Sequence, residues 1–135
     1  WSSDEFAAWA LEIGTTELRA DSSYAGLGFF MGNSSGFDIV NDGEKSYLKS
    51  MGSSDKGKNY FYFTSPGSGR VVVKGFNNKT SDKTLRIIVD GKETNYSIAK
   101  QQEYTVEHEV SAKGSLIKIC TRDSNIFIYS ISFVE

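Results

Sequence analysis

The side chains with the strongest chemistry in this chain are few and poorly grouped. His108 is the one histidine and Cys120 the one cysteine. An imidazole with no second histidine or cysteine nearby makes a poor metal site, and a thiol without a partner histidine placed by motif makes a poor nucleophile. Glu107 and Glu109 stand two apart in "EYTVEHEV". On a strand that puts their carboxylates about 6.5–7 Å apart on one face, inside the range of paired carboxylates that cleave glycosidic bonds. A catalytic acid needs burial to raise its pKa, however, and alternating glutamates read as a solvated strand face. Asp38 and Asp42 lie beside Asn41 and Gly43 and offer oxygens to Ca²⁺, but "FDIVNDGEK" lacks the EF-hand spacing and "NDG" is an ordinary turn signal. Neither a cofactor nor a metal is therefore expected. "GLGFFMG" has a Gly-x-Gly without the third glycine or the βαβ context of a nucleotide fold, so its glycines read as bulges or turns.

Cations make a clearer signal. "SYLKSMGSSDKGKNYFYF", residues 46 to 63, sets Lys49, Lys56 and Lys58 around a Gly/Ser loop and then runs into consecutive aromatics. Lys83 opens another predicted strand and Arg122 sits at the end of one. In a sandwich, strand ends far apart in sequence meet along one face or rim, where such groups would bind an anion; lysines scattered over a soluble surface are the ordinary alternative. Tyr47, Tyr60 and Tyr62 offer rings for a ligand. Tyr60 and Tyr62 alternate with Phe61 and Phe63, so one of those two faces must be core.

The elements that would position these residues are mostly strands. "EYTVEHEV" alternates Tyr104, Val106, His108 and Val110 against Thr105, Glu107 and Glu109, a half-buried strand that leaves His108 as a packed or edge histidine. "KTLRIIVDGK" places Leu85, Ile87 and Val89 on one face and turns at Asp90-Gly91, so Thr94–Ile98 should return antiparallel. Further strands are expected at Asn59–Thr64, Arg70–Phe76, Leu116–Thr121 and Ile126–Val134. The last groups Phe127, Tyr129, Ile131 and Phe133 against Ile126 and Ile128, apolar on both faces, and belongs near the middle of a sheet. Breakers recur at "SPGSG", "NNKTSDK", "SAKGS" and "RDSN", the spacing of a sandwich. One helix is expected in "SSDEFAAWALEIG", capped by Ser2, Ser3 or Asp4, stopped by Gly14, about two turns long and docked through Phe6, Trp9 and Ala10. A short strand competes with it there. The fold class is all-β: a jelly-roll-like sandwich of two antiparallel sheets with at most one short N-terminal helix.

Length and charge bound the rest. The 135 residues suit one domain, and at that size a core forms without cross-links. A formal charge of -2 lacks the positive field of a general nucleic-acid binder. No apolar run approaches the ~20 residues that span a bilayer, so no membrane partner is expected. The chain opens on Trp1 and reads as a module excised from a longer polypeptide.

Several stretches, taken in order, resemble carbohydrate-binding module family 77, pectin-binding modules attached to bacterial pectate lyases. They are "WSSDEFAAWALEIGTT", "SSYAGLGFFMG" (read as one strand), "SYLKSMGSSDKGKNYFYFTSPGSGRVVVKG", "TSDKTLRIIVDGK" and "DSNIFIYSISF". In the fourth the family often has arginine in place of Lys83, and this chain carries "DKGK" where a shorter loop is usual, which leaves Lys56 against Lys58 open. The resemblance implies a secreted, non-catalytic, monomeric β-sandwich that binds homogalacturonan and is covalently linked to a catalytic module. It also implies that basic side chains meet the uronate carboxylates and that flat aromatic platforms matter less. Matching stretches put Lys49 and Lys58 first, Arg122 third, then Lys83 and Lys56. The alternative is a protein-interaction or adhesion module of a cell-wall-degrading complex, against which the polar outer faces expected of alternating strands would tell.

Overall fold

The computed structural model describes residues 1–50, 58–122 and 126–135; residues 51–57 and 123–125, and with them the expectation for Lys56, lie outside the described residues. The chain opens with helix α1, Ser3–Ile13, followed by β1 (Glu17–Leu18), β2 (Ser22–Tyr24), β3 (Leu27–Met31), β4 (Phe37–Asn41), β5 (Ser46–Ser50) and β6 (Asn59–Thr64). Then come β7 (Gly69–Asn77), β8 (Lys83–Val89), β9 (Lys92–Ile98), β10 (Gln102–Val110), β11 (Leu116–Thr121) and β12 (Phe127–Val134). They form two six-stranded sheets: sheet A in the order β1-β4-β5-β12-β7-β10 and sheet B in the order β2-β3-β6-β11-β8-β9. Every ladder is antiparallel. The all-β sandwich with one helix expected from alternation is the observed architecture.

Period-two patterning decides which side of each strand faces inward. In β6, Phe61 and Phe63 are buried while Tyr60 and Tyr62 turn outward; in β10, Val106 and Val110 are buried and Glu107 and Glu109 exposed. Each large apolar side chain so buried contributes roughly 1.5–3 kcal/mol. The core centres on Phe37, whose ring lies 4.4 Å from Phe29, 5.0 Å from Phe61 and 5.2 Å from Trp9. Asp90 and Gly91 both take positive φ, 48° and 86°, and close the β8–β9 hairpin as expected. At the open edge, Tyr96 of β9 and His108 of β10 tie the two sheets together through a 2.7 Å hydrogen bond, so the lone histidine is an edge residue with a partner.

Three expectations need correction. The stretch "SSYAGLGFFMG" is not one strand but the hairpin β2–β3, turning at Ala25-Gly26 with φ of 51° and 86°. Helix α1 runs 11 residues, about three turns and not two. Acceptance of the Ser2 N–H and hydroxyl by the Glu5 carboxylate, both at 3.0 Å, secures its first turn, and Gly14 at φ 73° ends it. Its length lets Phe6 and Trp9 dock deeply, with the Trp9 indole N–H donating to Ser22 Oγ at 2.8 Å. Finally, β12 does not keep Phe127, Tyr129, Ile131 and Phe133 on one face. A bulge between Ile128 and Ser130 inserts Tyr129, so Ile128 and Ile131 both point into the core. The strand is nevertheless central, lying between β5 and β7.

Candidate functional site

Register places the outward residues of sheet B in rows. One row runs Gly28–Tyr62–Lys118–Ile88–Glu93 across β3, β6, β11, β8 and β9. In the next, Phe30 lies opposite Tyr60 on one side and Cys120 opposite Arg86 and Asn95 on the other. Phe30 and Tyr60 stack at 5.0 Å with 22° between their planes, and Tyr62 meets Tyr60 edge-on at 5.9 Å. The Lys118 ammonium lies 4.5 Å above the Tyr60 ring, a cation–π contact that fixes a positive charge beside the aromatics. Tyr62 occupies this position because Gly28 has no side chain: a Cβ there would be 2.4 Å from the Tyr62 ring.

Two of the residues singled out by sequence extend this face. Lys58 precedes β6 and has the same parity as Tyr60 and Tyr62; Arg122 follows β11 with the parity of Lys118 and Cys120. Arg122 stays in step with the sheet, its N–H donating to the Thr84 carbonyl at 3.1 Å. Both are exposed. Lys58 is held in place from below. The buried Asn59 side-chain oxygen accepts the N–H groups of Gly32 and Asn33 at 2.9 and 3.1 Å, and the Lys58 carbonyl sits only 2.1 Å from where a Cβ of Gly32 would be. Lys83 begins β8 at the same end, half-buried, but with the parity of the core residues Leu85 and Ile87. Buried Asn77 anchors the turn before it, donating to Ser81 and Ile98 carbonyls at 3.2 and 3.1 Å.

Lys49 lies elsewhere. It projects from the outer face of sheet A, where Asp38 is opposite it on one side and Phe127 on the other. Asp38 is itself engaged by Arg19 at 3.1 Å. The structure thus brings Lys58 and Arg122 onto one face, puts Lys83 at its end, and separates Lys49 from all three.

Two basic residues at outward positions of sheet B escaped the sequence reading, Lys118 and Arg86. Lys118 was legible in principle, since counting back by twos from Arg122 along "LIKICTR" reaches it. Arg86 was not, because it sits in an otherwise apolar run and is only 5% exposed. Its Nε meets Asn95 Oδ1 at 3.0 Å and Glu93 Oε2 at 3.8 Å, while its buried Nη1 has no hydrogen-bond partner. Outward positions on this sheet and just beyond its strands therefore carry Lys58, Arg86, Lys118 and Arg122, together with the carboxylates of Glu93 and of Asp82, which precedes β8 with the parity of Arg86 and accepts the Lys100 N–H at 3.0 Å. They also carry Phe30, Tyr60 and Tyr62, so the expectation of mostly polar outer faces does not hold here.

The remaining candidates have structural partners. Glu107 is exposed and lies 3.6 Å from Arg70, an ion pair on a solvated strand face. Asp42 accepts the N–H groups of Lys45 and Glu44 at 2.8 and 3.1 Å, which holds its carboxyl below the usual range and marks it as a turn former. No group of three or more His, Cys, Asp or Glu side chains that could hold a metal ion occurs among the described residues. Chemically, the sheet B face is suited to hold an anion against an aromatic surface.

No protein-family model matches the chain, and no curated protein sequence matches it. Solved structures do. A family 35 carbohydrate-binding module from Clostridium thermocellum is similar over 79% of this chain and 92% of its own, with TM-score 0.59 and 17% identity. A family 6 module from Clostridium cellulolyticum, in complex with xylose, is similar over 79% of this chain and 96% of its own, with TM-score 0.52 and 15% identity. The CBM22-1–GH10 portion of Clostridium thermocellum xylanase 10B, complexed with xylohexaose, is similar over 88% of this chain and 28% of its own, with TM-score 0.61 and 10% identity. The chain thus shares its sandwich fold with modules of carbohydrate-binding proteins.

Proposed function

We propose that this chain is a non-catalytic carbohydrate-binding module that recognises anionic plant cell-wall polysaccharide, low-methyl-esterified pectin or homogalacturonan, and directs an appended pectin-degrading enzyme of a secreted protein to it. The observation that carries the reading is the shared outward parity of Lys118 on β11 with Lys58 and Arg122, which flank the adjacent strands β6 and β11, beside stacked Phe30 and Tyr60. De-esterified pectin bears a carboxylate on each sugar, so cations spaced along a strand meet successive residues of the polymer. The resemblance to family 77 supplies the polymer, and the fold shared with modules solved on xylose and xylohexaose supports a saccharide ligand.

Magnitudes fit a targeting role. Each exposed ammonium–carboxylate pair contributes about 0.2–1 kcal/mol. Three such pairs with hydroxyl hydrogen bonds give a Kd on the order of micromolar to millimolar, and effective concentration on a multivalent wall lowers the apparent value. The ring beneath Lys118 lowers the entropy lost on binding, because its ammonium is already held.

Affinity electrophoresis in gels containing polygalacturonate, then pectins of rising methyl-esterification, tests the proposal. Migration should slow with polygalacturonate, recover as esterification removes charge, and recover again with salt, which screens the pairs. Equal retardation by heavily esterified pectin would refute a charge-reading site. Release of unsaturated sugars on prolonged incubation would refute the non-catalytic reading.

A further inference from the structure

The outer face of sheet A has its own aromatic cluster, of different character. Tyr47 lies 4.9 Å from Phe127 and 5.5 Å from Tyr129. Tyr129 is the residue inserted by the β12 bulge, and it is 38% exposed. Bulges re-aim side chains and gather next to binding sites. This one is supported from beneath, where the Tyr104 hydroxyl, packed over Gly75, donates to the Phe127 carbonyl at 2.8 Å. Two hollows meet at the projecting ring. A cavity of 590 Å³ is lined by Ser2, Ser3, Asp42, Tyr47, Glu103 and Tyr129 among others, and a shallower one of 270 Å³ by Lys74, Thr105, Glu103 and Tyr129 among others.

We infer that this groove is a second saccharide site, taking a neutral pyranose chain with Tyr129 as the ring on which a sugar packs and Glu103 as a hydroxyl acceptor. The larger cavity falls within the ~300–1,000 Å³ of small-ligand sites, and its lining combines an aromatic wall with a few polar groups. Ionised carboxylates accept sugar hydroxyls through strong charge-assisted hydrogen bonds. Glu103 and Asp42 are near enough to Tyr129 to help burial push its phenol up, which places negative charge at the ring. With Asp42, Glu44 and Glu103 against Lys45, the lining of the larger cavity is negative on balance and repels a polyuronate, so the ligand class here is opposite to the one proposed for sheet B. The carboxylates are not grouped for metal binding, which leaves hydroxyls as their natural partners. The inference stands on residues separate from Lys58, Arg122 and Lys118.

Affinity electrophoresis against neutral galactan, xylan and glucomannan, each in its own gel, with polygalacturonate run in parallel, is the test. At least one neutral polymer should retard the wild-type chain. Tyr129→Ala should weaken that binding about tenfold or more, Tyr129→Phe should keep most of it, and Glu103→Gln should weaken it severalfold, all with unchanged polygalacturonate retardation. Three results overturn the inference: no retardation by any of the neutral polymers, unchanged affinity in folded Tyr129→Ala, or loss of both ligand classes together in that variant. Should Tyr129→Ala lower the Tm sharply, Glu103→Gln decides, and undiminished binding by it is a negative. Failure of the polyuronate proposal shows separately, in the parallel gel.

Discussion

Sheets A and B share one core yet present opposite surfaces. Outward positions of sheet B, and those just beyond its strands, carry Lys58, Arg86, Lys118 and Arg122 with the carboxylates of Glu93 and Asp82, and the Phe30–Tyr60 stack stands among them. Sheet A sets Glu103, Glu107 and Glu109 along β10; Arg19, just past β1, pairs with Asp38 and Arg70 with Glu107, while Lys49 and Lys74 stand on the same sheet. An overall charge of -2 conceals this division. Net charge governs solubility and long-range steering, whereas the placement of a few side chains by strand parity governs what a face can hold. The backbone devices differ as well: sheet B makes room for an aromatic with a glycine, and sheet A throws one outward with a bulge.

The harshest way to break the comparison is to remove what both faces stand on. Trp9→Ala deletes a side chain that is 1% exposed and packed on Phe37, and should lower stability by about 3–5 kcal/mol in chemical denaturation, with both faces failing together. Gly28→Ala is selective. The new Cβ forces the Tyr62 ring aside at a stability cost of about 1 kcal/mol, near the low end for overpacking, because it meets the outer end of a half-buried side chain and not backbone. Polygalacturonate affinity should fall clearly more than stability does, and the Tyr129 groove should be unaffected. Arg86→Met asks whether the buried guanidinium belongs to the binding strip or to the scaffold. Since its Nη1 lacks a partner and its nearest carboxylate is 3.8 Å away, an apolar replacement should be neutral or raise stability by about 1 kcal/mol.

The smallest effect is a pH dependence at the edge where the sheets join. Burial, then the charge of Lys92, depress the His108 pKa below its ordinary value near 6.5, with Glu109 opposing. The unfolded chain therefore protonates first. The contribution of His108 is complete above pH 6.5, declines as pH falls below that value, and is lost once pH has passed through the depressed native pKa. Thermal melts between pH 8 and pH 5 should show a modest drop in Tm that His108→Gln removes.

Much of the frame was legible in the sequence because alternation survives wherever one strand face is buried. Phe61 and Phe63 against Tyr60 and Tyr62, or Val106 and Val110 against Glu107 and Glu109, specify inside and outside without further information. Bulges defeat the same reasoning, as at Tyr129, where one inserted residue reverses the parity of everything after it. Short hairpins defeat it as well, since Ala25 takes a positive φ that its residue type does not announce. How the candidate residues group on the two sheets was less legible. The sequence nominated Lys58 and Arg122, which border strands of sheet B, and also Lys49, which stands on sheet A. Lys118 and Arg86 were missed because assembling a face requires strand order, and order is a property of pairing between distant segments.

The central claim is that the cations of sheet B, and not those of sheet A, read the polyuronate. Calorimetric titration of polygalacturonate into Lys58→Ala/Arg122→Ala and into Lys49→Ala, each checked for unchanged Tm, compares the two directly. The double variant should lose affinity by about tenfold and the single one should match wild type. Undiminished binding by the double variant, or an equal loss from Lys49→Ala, would contradict the account.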